Sequence, residues 1–76
     1  MKARVMDAYR ELVRSGDLLS AWLILRFLNK KKITFGLNPS SAKAESVLDA
    51  LGCRVIYSRN YSMATFLFPP EQKSKQ

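Results

Sequence analysis

The chain has 76 residues, a length that suits a single domain with a modest core. It contains no His and one Cys, which excludes a zinc site of the Cys₂His₂ or Cys₄ kind and any disulfide within the chain. Thirteen Lys and Arg against six Asp and Glu give a net charge of +7. A field of that sign attracts polyanions without separating DNA from RNA or an acidic membrane, and the plainer alternative is a well-solvated surface.

The longest apolar segment, Leu18 to Leu28, is interrupted by Ser20 and Arg26 and falls short of the roughly 20 residues that a membrane span needs. It follows a charged stretch holding Lys2, Arg4, Asp7, Arg10, Glu11 and Arg14, so no signal peptide and no membrane partner are expected. A lone Cys fits a reducing compartment, and the expected location is intracellular.

Val5, Ala8, Tyr9, Leu12 and Val13 recur at helical spacing and predict a helix over 3–15, closed by Gly16. Asp17 can cap a second helix running to about Asn29. That helix is apolar nearly all round, and a helix of this kind is buried on more than one side. Either its own domain wraps it, or one face meets a second copy of the chain. Ile33-Thr34-Phe35 allow a short extra strand. Asn38-Pro39 then open a third helix over 39–51, with Ala44, Val47, Leu48 and Leu51 as its buried stripe and Gly52 as its stop. Arg54–Ser58 and Tyr61–Phe68 alternate like strands around a tight Arg59-Asn60 turn, in which Asn tolerates positive φ. The domain is expected over 1–70, with residues 71–76 a disordered tail.

The predicted fold is therefore α+β: three helices, then a two-stranded antiparallel hairpin, in winged helix-turn-helix order. In element order, size and charge, residues 3–68 resemble the small winged-helix DNA-binding regulators of archaeal (crenarchaeal) viruses, plasmids and virus–plasmid hybrid elements. The resemblance implies a dimeric transcriptional regulator that binds double-stranded DNA at promoters of its own genetic element. One departure is visible. Residues 30–38 separate the second and third helices, where helix-turn-helix turns have three or four residues.

Catalysis finds no footing in the residues. Without His there is no Ser–His or Cys–His nucleophile pair, and the three isolated glycines form no phosphate-binding loop. No cofactor and no small-molecule ligand are implied. Cys53, between Gly52 and Arg54, reads as a small buried residue.

The third helix carries more information. With Ala44 at the centre of its buried side, Ala42, Lys43, Ser46 and Ala50 fall outward, while Glu45 and Asp49 share a separate flank that should turn away from DNA. Small side chains allow close approach to a major groove. Ser40, Ser41 and Ser46 can donate to phosphates or base edges, and Lys43 can reach a phosphate or a guanine. In the hairpin, Arg54, Arg59 and Asn60 are the candidate backbone or minor-groove contacts. Lys31 and Lys32 add phosphate-grade charge, although a run of lysines at a helix end is equally a solvated cap on the dipole. Tyr57 and Tyr61 could stack on bases, but strand aromatics beside Val55 and Met63 are more often core.

Two other functions fit the same residues. A sheet with an exposed aromatic face, completed by a full strand at 33–35, would suit single-stranded RNA. The apolar helix 18–28 alone would suit a protein–protein interaction module.

Overall fold

The structure, a computed structural model, describes residues 2–68. The expected tail, 71–76, lies outside the described residues. Three helices and a three-stranded antiparallel sheet follow one another as α1 (Lys2–Arg14), α2 (Leu18–Lys30), β1 (Lys32–Gly36), a single 3₁₀ turn (Pro39–Ser41), α3 (Ala42–Ala50), β2 (Arg54–Tyr57) and β3 (Met63–Leu67).

α1 buries Val5 and Leu12 and turns its charges to solvent, where Asp7–Arg10 and Glu11–Arg14 pair at 3.4 Å. Such exposed i,i+3 pairs are each worth a few tenths of a kcal/mol, about 0.3. Gly16, at φ 84, closes the helix, and the N–H of Asp17 reaches back to the Leu12 carbonyl at 3.0 Å. The Asp17 carboxylate then accepts from the Ser20 N–H at 3.2 Å and starts α2. α2 buries Ala21, Leu23, Ile24 and Phe27. It ends on Lys31 at φ 63, whose N–H donates to the Phe27 carbonyl at 2.8 Å.

Residues 33–35 belong to a full five-residue strand, so the hairpin is part of a larger sheet. The strand order is β1-β3-β2, and β3 pairs on both sides. Ile33 lies opposite Phe66 and Phe35 opposite Ala64; on the other edge Val55 lies opposite Phe66. Because side chains alternate across a strand, these residues form the inner face. They join Ile24 and Phe27 of α2, Val5 and Leu12 of α1, and Ala44 and Leu48 of α3 in one core. Phe35 and Phe66 stack there with ring centres 5.5 Å apart. Burying a ring such as Phe27 or Phe66 contributes about 2–3 kcal/mol. The outer face holds Lys32, Thr34, Arg54, Ile56 and Met63, with the Thr34 and Thr65 hydroxyls bonded across strands at 2.7 Å.

Two elements differ from the sequence-based expectation. The helix expected over 39–51 begins as the 3₁₀ turn and is α-helical only over Ala42–Ala50. The expected strand 61–68 begins at Met63, and the two-residue turn is a loop over 58–62. Side-chain oxygens cause this lengthening. Ser58 Oγ accepts from the backbone N–H groups of Ser62 (3.1 Å) and Met63 (3.0 Å), and Asn60 Oδ1 accepts from Ser62 N–H (3.1 Å) and Ser62 Oγ (2.7 Å). The positive φ falls on Tyr61 (59°), not on Asn60. A bulky residue there costs roughly 1–2 kcal/mol, which the loop network holds in place.

The second and third helices are not joined by a short turn, since β1 and the 3₁₀ turn stand between them. α2 is not wrapped on all sides by its own chain either. Leu18, Leu19 and Trp22 stay exposed, and the Arg26 guanidinium sits 4.9 Å above the Trp22 ring.

Candidate nucleic-acid interface

α3 starts where the hairpin turns. Asn38 Oδ1 accepts from the N–H groups of Ser40 (3.0 Å) and Ser41 (3.2 Å), and Ser41 Oγ accepts in return from Asn38 N–H (3.2 Å). This reciprocal cap satisfies donors that the start of a helix otherwise leaves open. One residue earlier, the Leu37 N–H donates to the Ser62 carbonyl at 2.9 Å. The start of the helical segment and the tip of the hairpin are therefore tied together at one end of the sheet.

On α3, Ala44 and Leu48 are fully buried, as the spacing predicts, and Lys43, Ser46 and Ala50 are exposed. Ser40 is exposed at the front of the segment, its hydroxyl donating to Asn38 Oδ1. Arg59 is exposed at the hairpin tip. Ser40, Lys43, Ser46 and Arg59 thus all project from the helix-and-tip unit.

Other predicted site residues go elsewhere. Ser41 is buried, and its hydroxyl donates to the Gly36 carbonyl at 2.7 Å, so it builds the cap and has no reach to a ligand. Asn60 is exposed, but its carboxamide oxygen organises the 58–62 loop. Lys32 and Arg54 lie in one cross-strand row on either side of Leu67. Two strand spacings put them about 10 Å apart, on the face of the sheet turned away from α3. That row is also about 15 Å along the strand from Arg59. Lys31 stands at the same base, its ammonium 5.0 Å from the Phe68 ring. The C-terminal ends of α2 and α3 both lead into this base, and their negative dipole ends favour cations there.

Sequence reasoning missed Arg4, which lies close enough to Cys53 to lower its thiol pKa. Burial outweighs it, and the net shift of the thiol is upward from 9.0.

The acidic flank of α3 does not face away from the hairpin. Glu45 accepts from the Tyr57 hydroxyl at 3.5 Å. Desolvation, then the charges of Glu45 and Asp49, raise the Tyr57 phenol above its ordinary value of 10.0. The tyrosines are not core residues: Tyr57 is 40% and Tyr61 69% exposed, and their rings lie 5.5 Å apart. Neither stands on the outer face of the sheet, which presents Thr34, Thr65, Ile56 and Met63.

No helix among the described residues is long and apolar enough to cross a membrane. Comparison of the chain with family models, with curated proteins and with solved structures finds no match in any of the three.

Proposed function

We propose that this chain binds double-stranded DNA as a transcriptional regulator, with α3 and the hairpin tip acting as one reading head. The observation that carries the reading is the Leu37–Ser62 backbone bond, which ties the start of the helical segment to the turn of the hairpin. It is supported by the exposed Lys43, Ser46 and Arg59 on that unit, by the small residues Ala42 and Ala50 on the outer side of α3, and by the net charge of +7. On this reading the fold is a winged helix in which the 3₁₀ turn Pro39–Ser41 leads into the recognition helix. It resembles the small winged-helix regulators of archaeal viruses and plasmids.

The basic base formed by Lys31, Lys32 and Arg54 then contributes to the long-range field and makes no direct contact beside the tip. The exposed Leu18, Leu19 and Trp22 of α2 would join two copies, placing two heads on one duplex.

The full strand β1 favours a second reading, in which the outer sheet face binds single-stranded RNA; the lack of aromatic rings on that face counts against it. Titration of labelled duplex DNA, single-stranded DNA and RNA of equal length at physiological salt separates the two. Tightest binding to duplex, weakened several-fold by Arg59→Ala, is expected. Tightest binding to RNA, weakened by Lys32→Ala and unchanged by Arg59→Ala, would overturn the DNA reading.

A further inference from the structure

The tip of the hairpin presents an aromatic surface whose position is set in advance. Tyr61 is the most exposed large side chain of apolar character among the described residues. Its ring lies 5.5 Å from that of Tyr57, with the two planes tilted by 44°. The Tyr57 hydroxyl lies 3.5 Å from the Glu45 carboxylate of α3. The left-handed backbone of Tyr61 is fixed by the Ser58 and Asn60 side chains, which accept from the backbone of the next two residues. A Tyr side chain has few rotatable bonds, so little freedom is lost when a flat ligand settles on it. Arg59 is exposed in the same loop.

Two exposed rings on one loop match the flat face of a nucleobase. A fully paired duplex offers its grooves only base edges, because the faces are stacked on one another. The ring of Tyr61 therefore needs a base that has left the stack. Resting on the DNA-binding reading above, we propose that the hairpin tip stacks Tyr61 on an unpaired base, so that the protein prefers duplex DNA carrying a bulged or unpaired nucleotide over the fully paired duplex.

The test compares the full chain on a labelled duplex and on the same duplex with one bulged 2-aminopurine. The bulged DNA is expected to bind about 10-fold tighter, with the 2-aminopurine emission quenched on binding. Tyr61→Ala should abolish both the preference and the quench, and Tyr61→Phe should keep both. Because Tyr61→Phe retains the ring, it serves as the readout even if Tyr61→Ala unfolds. Equal affinity for the two DNAs without quenching would overturn the stacking proposal and leave the DNA-binding reading standing. Equal loss on both DNAs in Tyr61→Ala would do the same. Failure to bind either DNA would overturn both.

Discussion

The N–H of Leu37 donates to the carbonyl of Ser62 at 2.9 Å, so the residue that precedes the Asn38 cap is fastened to the turn between β2 and β3. Neither partner belongs to a regular element. The bond extends the β1–β3 ladder one rung past the Gly36–Met63 pair, and that pairing is what brings a helix and a hairpin from separate parts of the chain to one end of the sheet. The cap beside it holds the front of that unit in place.

Substitution of the cap is therefore expected to cost stability. Asn38→Ala should lower it by about 1 kcal/mol. Ser41→Ala should lower it by about 1–2 kcal/mol, because the Gly36 carbonyl and the Asn38 N–H both lose a partner. Urea unfolding monitored by circular dichroism reads both. Ser41→Ala should leave the DNA affinity of the folded protein unchanged, since its hydroxyl faces inward.

Lys31 ends α2 in the left-handed conformation, at φ 63. Lys31→Gly and Lys31→Ala both lose the ammonium above the Phe68 ring, so the difference between them reports the backbone alone. Lys31→Gly should be about 1 kcal/mol more stable than Lys31→Ala. Equal melting temperatures for the two would contradict the geometry.

Trp22, the single tryptophan, is 52% exposed in one chain. If α2 joins two copies, sedimentation equilibrium should give the mass of a dimer. Tryptophan emission should then shift to the blue as concentration rises, and Trp22→Glu should return the protein to a monomer. A monomer at all concentrations, with unshifted emission, would count against that interface.

The raised Tyr57 phenol links stability to alkaline pH. The folded state favours the protonated form. The stability this proton supports is therefore complete below the ordinary phenol value of 10.0 and is lost as pH climbs through the raised one. Cys53 shifts in the same direction, so Cys53→Ala is the proper background. In that background the urea midpoint should fall above about pH 10, and Glu45→Gln should make the fall shallower.

Much of the fold was legible in the sequence, and the reasons are local. α1 and α2 announce themselves through helical spacing and through Gly16 and Asp17, whose roles are chemical and short-ranged. Ala44 and Leu48 mark the buried stripe of α3 correctly. The hairpin loop was not legible, because Ser58 and Asn60 put side-chain oxygens where a ladder would put carbonyls, and the strain fell on Tyr61. The site was less legible than the fold. Alternation alone places Arg54 on the face of its strand opposite Val55, but its row with Lys32 depends on β3 lying between β1 and β2. That row lies at the opposite end of the hairpin from Arg59.

The central claim is that α3 and the hairpin tip form one DNA-binding head. The most direct test is the salt dependence of duplex affinity for the wild-type chain and for the Lys43→Ala/Arg59→Ala double variant. The wild type should lose affinity linearly on a log–log scale, and the double variant should show a slope smaller in magnitude by about 2. Binding that ignores salt, or a slope that the double substitution leaves unchanged, would contradict the account.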